Sequence, residues 1–342
     1  MKVVDVLPKD AIRSIDSPAF GTDYFGDPGD EVVVVEGDPP QAYPVRVLSH
    51  HEVVNDRLTV DGTERAVAVT WCPICGSGAV YDRQVDGRVL EFGVSGKLAD
   101  DALVLYDRET GTEWKQPTGE AVTGPLAGTA LTALPAPLTT WAEFRAAHPD
   151  GLVLQPAEAG PPREVYDIEP YERYEAAEAF GLHGMRGTGK PREWAREDLD
   201  PKTVVLGVGE GEAAVGYPQP RVEAAGGVVA DTVGGRDVVV VAAGRLHAFE
   251  DPGFPLAADE DDTTATGRGG GVADSGEDAA GLEETGGPVL HGDGTTWNPT
   301  TGESADGRSL VRVPARRLFA FAWQDAHGPD AFYERTADDP PA

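Results

Sequence analysis

The strongest constraint on this chain is that much of its sequence pattern occurs in it twice. Tyr43-Pro44 recurs as Tyr217-Pro218, and Val53-Val54-Asn55-Asp56 as Val228-Val229-Ala230-Asp231. Gly111-Thr112-Glu113-Trp114 with Thr118-Gly119-Glu120 recurs as Gly294-Thr295-Thr296-Trp297 with Thr301-Gly302-Glu303. Each copy then places an apolar residue before proline, at Leu134-Pro135 and Val313-Pro314, and closes with an aromatic-rich, helix-like segment that ends in a His, Pro and Asp at 148–150 and 327–330. The separation drifts between 173 and 183 residues, so small insertions divide two related units of domain size. The expected order is an N-terminal extension (1–30), a first repeat (31–154), a connecting segment (155–202), a second, degenerate repeat (203–335) and a tail (336–342).

Within a copy the pattern is mostly strands. Glu31 to Val35, Ala66 to Trp71, Ala79 to Tyr81, Val89 to Phe92 and Leu103 to Tyr106 are short, β-branched or aromatic, and bounded by turn residues. Asp61-Gly62 and Asp86-Gly87 are hairpin signals, because both residue types tolerate φ > 0. Leu138 to His148 reads as a helix entered through Thr139 or Thr140 and stopped before Pro149. The expected fold class is therefore α+β and β-rich: two tandem copies of a mainly antiparallel β unit, each with a C-terminal helix. Residues 257–288 are acidic, Gly-rich and almost without large apolar groups, and are expected to be a disordered insert in the second copy. The connecting segment, with its prolines and charges, is expected to wrap the surface in short helices.

Composition narrows the setting rather than the chemistry. The 342 residues carry 59 Asp plus Glu against 28 Lys plus Arg, a net charge of −31, and only six of the cations are Lys. That charge repels itself at ordinary ionic strength, whereas near 1 M salt the screening length falls to about 3 Å. Acidity spread along the whole chain points to a halophilic protein. It also argues against nucleic acid or an anionic membrane as partner, since no cationic face is available. With no long apolar run and no secretory leader in view, a cytoplasmic location is the expectation.

Chemistry concentrates in one place. The only two cysteines stand in Trp71-Cys72-Pro73-Ile74-Cys75-Gly76, after a buried-looking strand. Three readings are open: a metal knuckle, a redox-active pair, or two small hydrophobes beside a turn. A metal needs further donors, and His51 lies one hairpin upstream, in His50-His51-Glu52-Val53-Val54-Asn55-Asp56. Cys72, Cys75 and His51 are thus candidate ligands of one zinc or copper ion, with Glu52, Asn55 and Asp56 behind them to orient the histidine. The duplication supports a shared site. With offsets of 175 and 173, His51, Glu52, Asn55, Cys72 and Cys75 fall on Gly226, Gly227, Ala230, Arg245 and Ala248, so all five are lost together.

The ordered motifs His51-Glu52-x-Val54-Asn55-Asp56, Val69-Thr70-Trp71-Cys72-Pro73-Ile74-Cys75-Gly76, Phe92-Gly93-Val94-Ser95-Gly96 and Tyr106-Asp107-Arg108-Glu109-Thr110-Gly111 carry a family resemblance. Trp114-x-Gln116-x-x-Gly119-Glu120-Ala121 and Gly124-Pro125-Leu126-Ala127-Gly128 follow. Together they closely resemble the family catalogued as domain of unknown function 3179, densely from Val33 to Leu154 and in eroded form from Thr203 to Tyr333. The resemblance implies a shared fold and site but no established activity. The chain departs from it at Lys97, where the family has an aromatic or aliphatic residue. The functional expectation is a soluble protein with one Cys/His metal-binding or thiol-redox site in the first repeat. The alternative is a non-enzymatic binding or scaffold protein whose CxxC turn is structural.

Overall fold

A computed structural model describes residues 1–60, 62–258 and 289–334. After β1 (Val3–Asp5) and β2 (Phe20–Gly21), four consecutive valines make β3 (Glu31–Val35), which pairs with β4 (Gln41–Pro44) so that Val33 faces Tyr43. Pro44, with its fixed φ, leads into a short helix, α1 (Val45–His51). A meander follows: β5 (Val53–Val60), β6 (Thr63–Cys72) and β7 (Ser77–Asp82). Side chains of β6 alternate between two cores. Ala68 and Cys72 belong to one buried cluster, Val67, Val69 and Trp71 to another.

The hairpin of β8 (Gln84–Val85) and β9 (Arg88–Val89) turns at Asp86 and Gly87, with φ of 49° and 75°. Both positions are left-handed, as the dipeptide predicts. β10 (Phe92–Ala99), β11 (Ala102–Asp107), β12 (Glu113–Lys115) and β13 (Glu120–Thr123) join β1 in an antiparallel sheet. β14 (Ala133–Leu134) lies on β7, and β15 (Leu138–Thr140) pairs with β3. The helix expected over 138–148 is shorter at its start. Residues 138–140 are held as a strand by β3, and α2 (Trp141–Ala147) begins at a capping box between Thr140 and Glu143. β16 (Leu152–Leu154) closes this half against β4 and β2.

The connecting segment contributes the short helices α3 (Glu172–Glu175) and α4 (Gly181–Arg186). The second half then runs through β17 (Val204–Val208), β18 (Val215–Pro218), α5 (Gln219–Ala224), β19 (Val228–Val233), β20 (Arg236–Ala243) and β21 (Arg245–Glu250). It continues with β22 (Ala257–Ala258), β23 (Leu290–Gly292), β24 (Thr295–Trp297), β25 (Ala315–Phe319) and α6 (Ala320–His327). Ala257 and Ala258 pair with β23, so the expected insert does not begin at 257; its residues 259–288 lie outside the described residues, as do 335–342 with the expected tail.

Element order and hydrogen bonds recur between the halves. β15-β3-β4 is matched by β25-β17-β18, and β5-β6-β7 by β19-β20-β21. The Tyr43 hydroxyl donates to Asp56 at 2.6 Å, and that of Tyr217 to Asp231 at 2.7 Å. The backbone N–H of Trp71 donates to Glu52 at 2.9 Å, and that of Ala242 to Gly227 at 2.8 Å. Strand register therefore refines the alignment of the turn. Cys72 lies opposite Ser77, as Ala243 lies opposite Arg245, so the counterpart of Cys72 is Ala243 rather than Arg245. Gly244 alone stands where the first half has Pro73-Ile74-Cys75-Gly76, and Cys75 has no counterpart.

The halves share a sheet of order β18-β17-β25-β7-β6-β5, joined where Arg317 of β25 faces Gly78 of β7. The cysteine turn sits at this seam, with the N–H of Phe319 donating to the Cys75 carbonyl at 2.7 Å. One core cluster contains Cys72, Ile74 and Cys75 together with Phe321 and Trp323 of α6. Among the described residues no helix is long and apolar enough to cross a membrane.

Candidate functional site

Strand β6 delivers Cys72 to the seam, and Pro73 begins a tight turn in which the N–H of Cys75 returns to the Cys72 carbonyl at 3.1 Å. Gly76 completes it with φ of 57°. A side chain there would be doubly excluded, since a Cβ would lie 2.8 Å from the Phe319 ring. Three bonds from outside the first half fix the turn: Tyr174 Oη to the Ile74 carbonyl (2.6 Å), Arg317 Nη1 to the Gly76 carbonyl (2.8 Å), and the Phe319 N–H already described.

Both cysteines are free, and their sulfurs stand 2.8 Å apart. Their surroundings differ. Cys72, 1% exposed, lines a cavity of about 480 Å³, and its Sγ receives the backbone N–H groups of Cys75 and Leu103, each at 3.4 Å. Cys75 is wholly buried, and desolvation followed by its hydrogen bond to Cys72 pushes its thiol well above the usual range.

Glu52 lines the same cavity, with Tyr171 and Lys97. It ends α1 in the left-handed region, with φ of 61°, and is only 5% exposed. Burial pushes its carboxyl up to about 8, little offset by the Tyr171 hydroxyl, which donates to Oε1 at 3.4 Å. The equivalent residue of the second half is Gly227, with φ of 79°. A helix end of this geometry favours glycine, so Glu52 carries backbone strain and a buried carboxyl that its counterpart, a buried glycine, avoids. Lys97, the departure from the family pattern, pairs with Glu113 at 2.6 Å.

His51 is placed differently. Its Nδ1 lies 2.6 Å from the Arg13 carbonyl, which can only accept, so Nδ1 carries the proton. Nε2 lies 2.7 Å from the Tyr166 hydroxyl. Burial lowers the imidazole pKa, leaving a neutral ring with Nε2 accepting. Tyr166 packs in the cluster of Trp71, on the other side of the sheet from the cysteine cluster. Asn55 clamps the start of β10, donating to the Phe92 carbonyl (2.7 Å) and accepting its N–H (2.9 Å). Asp56 accepts from Tyr43. The structure therefore brings together Cys72, Cys75 and Glu52, while the hydrogen bonds of Asn55 and Asp56 go to residues other than His51. Among the described residues no three His, Cys, Asp or Glu side chains are grouped to hold a metal ion.

Tyr171, Tyr174, Arg317 and Phe319 also build the site and were missed in the sequence. Their signal was the cluster Tyr166, Tyr171 and Tyr174 in an otherwise charged connector, where aromatic rings have little reason to occur unless they dock on something. No curated protein and no solved structure matches the chain. The pattern of the family described as "protein of unknown function (DUF3179)" matches residues 9–336, and the chain belongs to that family.

Proposed function

We propose that Cys72 and Cys75 are a thiol–disulfide exchange pair in which Glu52 handles the proton. Both cysteines are buried, at 1% and 0% exposed, and the observation that carries this reading is the asymmetry of their contacts: of two adjacent free sulfurs, only Cys72 lines a cavity and accepts two backbone N–H groups. In the forward direction the Cys72 thiolate attacks a disulfide, one sulfur of which leaves as thiolate. Cys75 then attacks Cys72 in the mixed disulfide and expels the second sulfur. Two electrons pass to the substrate, the pair becomes a disulfide, and the Cys75 proton passes to a thiolate leaving group or, above about pH 8 where Glu52 is ionised, to its carboxylate. A dithiol donor reverses the sequence.

The proposal goes further on three points. The halves are two copies of one unit, supported by the recurring registers and Tyr–Asp bonds, and only the first keeps the chemistry. The net charge of −31 suits a soluble protein of a high-salt cytoplasm. A Cys/His zinc or copper site fits less well than exchange, because both nitrogens of His51 are already engaged.

The test equilibrates the purified protein in molar KCl with thiol–disulfide buffers and follows the Cys72–Cys75 disulfide by mass. Reversible formation, loss in both Cys72→Ser and Cys75→Ser, and a trapped mixed disulfide on Cys72 in Cys75→Ser are expected. A pair that neither oxidises nor traps a thiol returns the turn to a structural role in a scaffold protein. Stoichiometric metal that is lost in His51→Ala would restore the metal reading.

A further inference from the structure

A second cavity, of about 750 Å³, lies along the seam and is lined by residues of both halves. Three arginines line it: Arg245, which opens β21, and Arg312 and Arg317, which precede and lie on β25. Glu31 is the one carboxylate of the lining. It pairs with Arg245 at 3.0 Å, and Glu143 approaches the same guanidinium at 3.9 Å. Arg312 and Arg317 have no ion-pair partner among the described residues. Arg312 donates to the Thr300 carbonyl, and Arg317 to that of Gly76.

A guanidinium removed from water without a counter-charge is costly. Burial accordingly lowers the pKa of Arg312 to about 10 and that of Arg317 as well. In a chain with 59 acidic side chains, carboxylates to neutralise them were not scarce. A second polar group points the same way. His247 is 3% exposed, lines the cavity, and has an Nδ1 with no hydrogen-bond partner. Burial, then Arg312, hold its pKa down at about 3, so the ring is neutral and Nδ1 can carry a proton to donate.

We infer that this seam cavity is a binding site for a small dianion, held by Arg312 and Arg317 with His247 as a neutral donor. The lining itself holds three guanidiniums and one carboxylate, which favours a ligand with two negative charges, while Glu36, Glu143 and Glu175 act on the guanidiniums from outside it. Guanidinium forks suit carboxylate and phosphate oxygens alike. Leu138 and Leu206 supply apolar wall, so an organic dianion is accommodated better than a bare ion. Arg317 also holds the Gly76 carbonyl, which places the site directly behind the cysteine turn. The inference does not rest on thiol exchange.

The experiment titrates full-length protein with succinate and, separately, inorganic phosphate by calorimetry at constant molar KCl. Saturable binding of at least one is expected, weakened roughly tenfold or more in Arg312→Gln and in Arg317→Gln. Binding is expected to weaken in His247→Phe and to be unchanged in Cys72→Ser. Succinate binding tighter than phosphate identifies a carboxylate site, and the reverse a phosphate site. No saturable heat with either probe overturns the inference. So does equal affinity in wild type and Arg312→Gln, a variant remote from the cysteine turn.

Discussion

The turn between β6 and β7 and the turn between β20 and β21 occupy the same place in matching meanders, and they could hardly differ more. One is Gly244 alone; the other is Pro73-Ile74-Cys75-Gly76, with a second cysteine just before it. At the helix end that feeds each meander, Gly227 faces Glu52 in the same left-handed conformation. The glycine versions are what local geometry prefers. The first half departs from them twice, and the cavity is lined by Glu52 from one departure, by Pro73 and Ile74 from the other, and by Cys72 just before it. Coincident departures from the economical solution mark a site better than either cysteine does alone.

The largest expected effect comes from giving Glu52 the residues that do not titrate. Its folded pKa of about 8 stands above the ordinary 4.5, so the protonated form is favoured by folding. The stabilisation is complete below pH 4.5 and is lost as pH rises through 8. Over that window wild type should lose stability relative to Glu52→Gln, by up to about 1.4 kcal/mol per pH unit. Glu52→Gly should add roughly 1 kcal/mol more by relieving the left-handed backbone. Chemical denaturation of all three proteins at several pH values measures this. Parallel pH profiles would show that Glu52 is not held protonated. Exchange should lose its inflection near pH 8 in both variants.

Next in size is replacement of 73–76 by a single glycine, which gives the first half the turn of the second. Exchange should vanish. The Ile74, Cys75 and Gly76 carbonyls also accept from Tyr174, Phe319 and Arg317, so about 3 kcal/mol should go with them at ~1 kcal/mol each. Unfolding in molar KCl reads the second effect. A variant as stable as wild type would mean the turn is a chemical insert with no part in joining the halves.

How far the sequence reached follows from which interactions are local. Strand β3, the Asp86-Gly87 hairpin and the cap at Thr140 are set by residues within a few positions of one another, and all form as expected. The recurrence in the sequence has a counterpart in the matching Tyr43–Asp56 and Tyr217–Asp231 bonds, each made between neighbouring elements of its half. The expectation that His51 joins the cysteines rests on closeness in sequence, which does not fix the direction in which side chains face. Successive β6 residues face opposite cores, and the ring lies with Trp71 and Tyr166 rather than with Cys72. Tyr171, Tyr174 and Arg317 reach the site over more than 90 residues of chain, and no local pattern encodes such a contact.

The smallest expected effect tests the part of the comparison that is the same in both halves. Tyr43 and Tyr217 each donate to an aspartate of the next strand, in matching geometry. Their surroundings are unequal. Asp56 is 7% exposed and burial raises its pKa, whereas Asp231 is half-buried and can turn to water. Removing a hydroxyl costs most when the partner cannot recruit a replacement. Tyr43→Phe should therefore lose about 1–3 kcal/mol, and Tyr217→Phe less than about 1 kcal/mol. Loss of the Tyr43 bond also takes away an influence that lowers the Asp56 pKa, so that carboxyl should rise further. With its folded pKa above the unfolded one, the deficit of Tyr43→Phe should shrink as pH falls toward the ordinary carboxylate range. Denaturation of the two variants at neutral and acid pH gives both numbers. Equal costs at both positions would mean that the two halves are energetically as well as geometrically alike, and that specialisation of the first half stops at its cysteine turn and Glu52.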